Sequence, residues 1–397
     1  MDDARGLGMV VRRRTVLGAL LAGAGVTATA GCADLADGPG SGVGTGPGDT
    51  TTGPTRKPTP GKVDRISLVA TGDVLLHERL WTTAKRDGRN GDWDFAPVMS
   101  SVKPLVQGAD LAVCHLETPL APIGGPYRGY PMFQGPPQIA AALKQTGYDV
   151  CTTASNHSFD GGAAGVDRTL KTLERAGLRH AGTARTPAEA ETPTIVDVRG
   201  VKIALLSYTY GFNGLPYPDG DTWRAGKIDV PAIKAMAKKA RDLGAEIVVV
   251  SCHWGTEYSS KLNDQQREVA PQLLADSNID LLLGHHAHVV QPMEQHNGKW
   301  VAYGLGNLIA AHREPSSPKA EGLLVRFTFK RSGDRWTTSE AEYAPLLMTD
   351  ALPVRVLDVR RELAKTGLAA ARRTRLERAE RRTTATVRSL GAAPKVL

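Results

Sequence analysis

From Arg65 onward, short apolar runs alternate with amphipathic stretches, the order expected when strands and helices follow one another. Strands are expected at Ile66–Thr71, Leu111–Leu116, Val150–Ala154, Lys202–Tyr208, Glu246–Ser251, Leu281–Leu283 and Trp300–Tyr303. Several of these runs are continuous in Val, Ile and Leu, which places them in a sheet covered on both faces. Helices are expected at Gly165–Ala176, Pro231–Leu243 and Asp264–Asp276. The second has Pro231 near its first turn and Gly244 at its end, the usual asymmetry of helix termini. There is no internal repeat, and the pattern reads as an α/β chain.

The first sixty or so residues do not share this pattern. Arg12, Arg13 and Arg14 precede an apolar, small-residue run from Val16 to Ala30, the charge order of a bacterial export signal. Arg13-Arg14-Thr15-Val16-Leu17 resembles a twin-arginine signal. Thr29-Ala30-Gly31-Cys32 resembles a lipobox, with Thr29 where an aliphatic residue is usual, so Cys32 is the expected site of lipidation. From Gly38 to Lys62 the chain is nearly all Gly, Pro, Thr, Ser and Asp, too poor in apolar surface to fold, and it reads as a tether. The expected organisation is therefore an export signal at 1–31, a disordered tether at 32–62, a folded domain at 63–350 and a basic helical C-terminal extension at 351–397. This places the chain outside the cell, lipid-anchored on the outer face of the cytoplasmic membrane.

Composition adds two points. The net charge of +8 belongs to the tail, because Arg355 to Leu397 holds twelve Lys and Arg against four Asp and Glu. From Val356 to Leu390 the pattern is helical, a solvated face or one drawn to an anionic surface, and it lacks the interleaved aromatics that nucleic acid would call for. With Cys32 acylated, Cys114, Cys151 and Cys252 remain, an odd number inside apolar runs. They read as small buried hydrophobes without a disulfide framework.

The residues that follow the strands carry the chemistry. Ile66–Thr71 runs into Gly72-Asp73, Leu111–Leu116 into Glu117, and Val150–Ala154 into Ser155-Asn156-His157. Glu246–Ser251 runs into Cys252-His253-Trp254-Gly255, and Leu281–Leu283 into Gly284-His285-His286-Ala287-His288. In open α/β sheets ligands bind beyond the carboxyl ends of strands, so these five ends are expected to converge. Singly, Asp73 also suits a turn, Asn156-His157 a capping pair, and His253 a structural core histidine. His286 and His288, alternate residues of an extended segment, would face one side and chelate. Together Asp73, Glu117, Asn156, His253, His286 and His288 offer oxygen and nitrogen without thiolate, a set suited to Mn, Fe or Zn, as one ion or two. His157 is the candidate general acid or orienter of the leaving group. Asp160 and Glu257 would orient imidazoles or meet substrate, and His285 would support the ligands or exchange with His286. His180, His296 and His312 read as surface or structural residues.

From about Arg65 to Ile309 the chain resembles the CapA family of capsule or poly-γ-glutamate biosynthesis proteins. The motifs are Gly72-Asp73-Val74-Leu75-Leu76, Leu116-Glu117, Ala154-Ser155-Asn156-His157-Ser158-Phe159-Asp160, His253-Trp254-Gly255-Thr256-Glu257-Tyr258, Gly284-His285-His286-Ala287-His288-Val289-Val290-Gln291 and Tyr303-Gly304-Leu305-Gly306-Asn307. The resemblance implies a four-layer α/β/β/α sandwich of the metallophosphoesterase-like type. It implies metal contact by Asp73, Glu117, Asn156, His253, His286 and His288. It also implies action on an anionic cell-envelope polymer such as polyglutamate, by hydrolysis of a phosphoester or amide bond, with membrane synthase subunits as candidate partners. The alternatives are a non-catalytic polymer-binding accessory subunit of such a synthase, and a general extracytoplasmic metallophosphodiesterase. Three positions depart from the pattern. Leu75 stands where an Asp-x-His pair would place His, leaving His77 as the nearest substitute; Glu117 stands where Asp is common; and His115 stands where Asn is usual.

Overall fold

The computed structural model describes residues 63–311 and 317–397. The expected export signal, Cys32, the tether and His312 lie outside the described residues.

The strands run in chain order as β1 (Arg65–Val74), β2 (Leu111–Leu116), β3 (Val150–Thr152), β4 (Arg179–Ala181), β5 (Thr194–Val198), β6 (Val201–Thr209), β7 (Ile247–Trp254), β8 (Leu281–His286), β9 (Met293–His296), β10 (Lys299–Ala302), β11 (Asn307–Ile309), β12 (Glu321–Ser332), β13 (Arg335–Met348), β14 (Val356–Asp358) and β15 (Lys395–Val396). One sheet has the order β14-β13-β12-β1-β2-β3-β4, with β11 paired to β1 and β15 to β13. The other has the order β5-β6-β7-β8-β10-β9. The helices are α1 (Glu78–Asp87), α2 (Lys103–Gln107), α3 (Gln138–Thr146), α4 (Gly162–Arg175), α5 (Pro187–Ala190), α6 (Val230–Asp242), α7 (Asp264–Leu274), α8 (Val359–Leu363) and α9 (Ala370–Val387).

Three apolar layers hold these elements together. Ile66, Leu68, Val113, Ile203, Leu205, Val249, Leu281 and Phe327 pack between the two sheets. On the outer face of the first sheet, Val69, Ala112 and Leu116 pack against Leu80 of α1, Val106 of α2 and Ile139 and Leu143 of α3. On the outer face of the second, Ala204, Val248, Val250 and Leu282 meet Ile233 and Ala237 of α6 and Ala270 and Leu273 of α7. The order is helix, sheet, sheet, helix, the four-layer arrangement expected. Strands buried on both sides account for the continuous apolar runs, since neither face of β2, β7 or β8 reaches water.

Local chemistry sets the helix ends. The Asp229 side chain accepts the Ala232 N–H at the start of α6, and Gly244, with φ of +91°, follows its end. Asn263 and Gln266 form a reciprocal capping box on α7. Among the described residues no helix is long and apolar enough to cross a membrane.

Two expectations are corrected. The segment from Val356 is not helical throughout: Val356–Asp358 pairs with β13, then α8 and α9 follow, and Lys395–Val396 returns to β13. The arginines of α9 are partly neutralised at the sheet, since Arg375 and Arg382 both reach Glu321 of β12, at 2.6 and 2.7 Å. The cysteines are buried as expected, but Cys114 and Cys151 form a disulfide and leave Cys252 as the buried free thiol. The two are register partners on the adjacent parallel strands β2 and β3, a neighbourhood that spacing along the chain does not reveal.

Candidate metal centre

The register of the parallel strands brings the five expected ends together. In the first sheet Asp73 of β1 stands beside His115 of β2 on one side and Asn307 of β11 on the other. In the second, His253 of β7 stands beside His285 of β8, and Trp254 beside His286. Two glycines allow the close approach. A Cβ on Gly72 would lie 2.0 Å from the Gly306 carbonyl oxygen, and one on Gly284 would lie 1.9 Å from that of Tyr303. Any side chain there would push the strand end away from its neighbour.

Asp73 joins the two sheets. Its Oδ1 lies 3.1 Å from His285 Nδ1, and its Oδ2 accepts the His286 backbone N–H at 3.1 Å and stands 3.2 Å from His288 Nδ1. Burial works to raise this carboxyl, but the hydrogen bonds and charges of His285 and His288 outweigh it and hold Asp73 well below the usual range. His288 Nδ1 also lies 3.0 Å from Asn307 Oδ1. His286 and His288 have φ of +88° and +54°, left-handed backbone that costs a side-chain-bearing residue about 1–3 kcal/mol. The expected extended segment is therefore a turn. Its two imidazoles nevertheless face one place, because the Asp73 and Asn307 contacts hold the reversal.

On the other side stand Glu117, Asn156 and His253. His253 Nε2 lies 2.8 Å from Asn156 Oδ1 and 3.9 Å from Glu117 Oε1, while its Nδ1 lies 3.0 Å from His115 Nε2. His115 Nδ1 in turn meets Thr152 Oγ1 at 2.8 Å, and its ring stacks on that of His285 with centroids 4.1 Å apart. Burial and neighbouring imidazoles hold both His115 and His253 well below their usual range, so both are neutral donors at pH 7. Asn156 is aimed by the turn after β3, in which Ser155 Oγ donates to the Glu117 carbonyl at 2.6 Å, and its Nδ2 donates to Asn213 Oδ1.

Glu117 is fully enclosed, and neither carboxylate oxygen has a hydrogen-bond partner. His288 Nε2 is its near neighbour at 3.5 Å. Burial, reduced by the charge of His288 and reinforced by that of Asp73, pushes the Glu117 carboxyl up to about 7. His286 Nδ1 is likewise buried and unpartnered, and burial with the His288 charge pushes this imidazole down to about 3. Buried polar atoms without partners are rare and costly, and here three sit together on two residues whose side chains can donate to a cation.

Four sets of donors lie each within 4.8 Å: Asp73, His115 and His285; Glu117, His253 and His286; Asp73, Glu117 and His288; and Glu257, His286 and His288. All but the exposed Glu257 are buried. The residues fit a divalent transition metal, with oxygen and imidazole donors, no thiolate, and unsatisfied atoms where a cation would stand. A further group of Glu174, His180 and Glu189 lies on the surface, where Arg185 already bridges both carboxylates. A cavity of about 720 Å³ lined by His180, Thr194, Ser207 and Trp223 lies in the same region and includes none of the buried donors.

The remaining expected residues have separate places. His157 Nδ1 meets Asp160 Oδ2 at 2.6 Å, an oxygen that also accepts the Phe133 N–H at 2.6 Å. Burial opposes its charge, but the Asp160 hydrogen bond and the field of Glu117 raise His157 above its ordinary value. His77 precedes α1, its Nδ1 accepts the Ala311 N–H at 3.2 Å, and it belongs to none of the donor groups among the described residues. Leu75 is packed in the apolar layer under α1. Residue-by-residue reading did not assign His115 and Asn307 to the site. His115 carried a signal, two residues before Glu117 at a strand end, and Asn307 closes the Tyr303–Asn307 motif, whereas Asn213, which meets Asn156, carried none.

A protein-family model described as bacterial capsule synthesis protein PGA_cap matches residues 67–312. The chain is similar to the PGA biosynthesis protein CapA of Bacillus subtilis, at 26% identity over 304 residues and 74% of each chain. It is also similar to the capsule biosynthesis protein CapA of Bacillus anthracis, at 25% identity over 73% of this chain and 69% of that one. A relative in Mycobacterium tuberculosis, named as a probable polyglutamine synthesis accessory protein, is 24% identical over 82% of this chain and 87% of its own. Among solved structures, a calcineurin-like phosphoesterase from Bacillus subtilis aligns with a TM-score of 0.44 and 14% identity, over 81% of this chain and 98% of that one.

Proposed function

The chain belongs to the bacterial capsule synthesis protein family, and from that premise we propose that it acts in making or trimming an anionic envelope polymer such as poly-γ-glutamate through a metal-dependent hydrolytic site. The observation that carries this reading is the enclosed Glu117 carboxylate with no hydrogen-bond partner, facing His253, His286 and His288. Asp73, Glu117, Asn156, His253, His286 and His288 would hold a divalent ion, with His115 and His285 as additional donors to the Asp73 side. Such an ion supplies Lewis acidity to the scissile group and lowers the pKa of water. The chain's own residues do the rest. Asp73 fixes the tautomers of His285 and His288, Asn307 holds His288 from behind, and His157, kept basic by Asp160, delivers a proton to the leaving group.

A metal-loaded screen of the purified chain against phosphodiester and γ-glutamyl amide substrates tests this. Hydrolysis of one class, with kcat lowered about 100-fold in His157→Gln while metal content stays, is the expected result. No turnover of either class with metal bound would leave the second reading, a non-catalytic accessory subunit. One observation favours that alternative: Leu75 is buried in the apolar layer and puts no donor beside Asp73. Export, lipidation at Cys32 and anchoring on the outer face of the cytoplasmic membrane are part of the same proposal, supported by the sequence of residues 12–32. Membrane fractionation of Cys32→Ser should release the chain, and unchanged membrane association would remove the anchor from the proposal.

A further inference from the structure

The cavity of about 720 Å³ lies where both sheets end, and its size is that of a small-molecule site. β4 is the edge of the first sheet, and β5 reaches along β6 only as far as Thr194 opposite Leu205. Leu206, Ser207 and Tyr208 continue past that neighbour until Thr209 bridges to Lys227, and all three line the cavity. Two glycines shape its wall. A Cβ on Gly182 would lie 2.9 Å from the Ser207 Cβ, and one on Gly226 would lie 2.6 Å from the Tyr208 ring, so a side chain at either place would press on the lining.

The lining selects among ligands by charge and by hydrogen bonding. Arg185 binds Glu174 at 2.6 Å and Glu189 at 2.5 Å, and His180 Nε2 lies 3.1 Å from Glu174 Oε1. Arg179 lines the same cavity, so two arginines balance two carboxylates and those four residues offer no net charge to an ion. Ser207 is 5% exposed, and its hydroxyl is buried without a hydrogen-bond partner. A purely apolar occupant would leave that hydroxyl desolvated and unpaired. Aromatic surface comes from Tyr208 and Trp223, and aliphatic surface from Leu178 and Met236. Aromatic faces beside a buried hydroxyl suit a ring with an apolar C–H face and a polar rim.

We infer that this cavity binds a neutral, hydroxyl-bearing ring, the chemistry of a saccharide unit: the C–H face of the ring lies on the aromatic wall, and a ring hydroxyl gives Ser207 its missing partner. None of the buried metal donors lines the cavity. The inference is therefore independent of the hydrolytic reading and adds a second binding site to the same body.

The test is calorimetric titration of the full chain with glucose, N-acetylglucosamine and the β-1,4-linked disaccharide of each, against glutamate as a charged control and cyclohexanol as an apolar one. At least one sugar should bind saturably, more tightly than either control, and with the same affinity in metal and in chelator. Ala232→Trp fills the cavity from an exposed position on α6 and keeps the N–H that Asp229 caps, so it should weaken binding about tenfold or more, as should Trp223→Ala. Ser207→Ala should weaken binding about threefold or more while the thermal midpoint without sugar stays or rises, because the change removes an unpartnered hydroxyl. Tighter binding of a disaccharide than of its monosaccharide would assign the cavity to a glycan chain, and equal affinities would assign it to a free sugar. No binding by any of the four sugars, tighter binding of glutamate or cyclohexanol, or equal binding by the parent and Ala232→Trp would overturn the inference.

Discussion

In the presence of a chelator, Glu117→Gln should make the protein more stable at about pH 8, by roughly 2–4 °C in the thermal midpoint, and no more stable at about pH 4.5. The sign follows from the environment of Glu117. Its folded carboxyl is pushed up to about 7 from an ordinary value of 4.5. Between those limits the folded chain keeps a proton that the unfolded chain has released, so this group's contribution is intact below about 4.5 and is lost as pH rises through 7. Glutamine has the same shape and does not titrate. Adding Mn, Fe or Zn should reverse the order, because the parent gains the linkage energy of a bound ion and the variant, lacking the carboxylate, does not. Paired melts with chelator and with metal, at both pH values, measure it. If Glu117→Gln is destabilising in chelator at high pH, the carboxylate has a partner that the enclosed geometry does not provide.

Asp73→Ala should do the opposite and be the most damaging single change at the site. The carboxylate is buried, holds His285 and His288, and caps the His286 N–H inside a left-handed turn. Removing one member of such a network typically costs about 3–5 kcal/mol, since the partners stay buried without it. The loss should appear with or without metal, which separates it from Glu117. Asp73→Asn, which keeps an oxygen for the His286 N–H but loses the charge, should fall between the parent and Ala. Denaturant unfolding in chelator checks the order, and an Asp73→Ala chain as stable as the parent would mean that the sheets do not depend on this contact.

The fold was legible where periodicity is local. The runs at Ile66–Thr71, Leu111–Leu116 and Leu281–Leu283 announced central strands, because burial on both faces leaves no polar alternation, and Gly72 and Gly284 sit where two backbones nearly touch. The hairpin of β12 and β13 was not anticipated, although Leu323, Val325, Phe327 and Phe329 share one face and Gly333 makes the turn. The basic helical pattern of the tail drew attention away from β14 and β15, whose pairing depends on a partner far along the chain. The Cys114–Cys151 disulfide was hidden for the same reason. At the site, strand ends located the donors. His115 is drawn in by stacking on His285 and a hydrogen bond to His253, contacts across two sheets that no linear spacing encodes. The reversal at His286 and His288 is a backbone conformation paid for by Asp73 and Asn307, so extended-chain geometry misjudged how the two rings come to face one place.

The most direct test of the account is the metal content of the purified chain after exchange into metal-free buffer without chelator. The account predicts about one divalent transition metal ion or more per folded chain, falling at least tenfold in His286→Ala and Glu117→Ala variants that still fold. A parent chain that is folded, has every donor intact, and neither carries metal nor gains stability when Mn, Fe or Zn is added would contradict it.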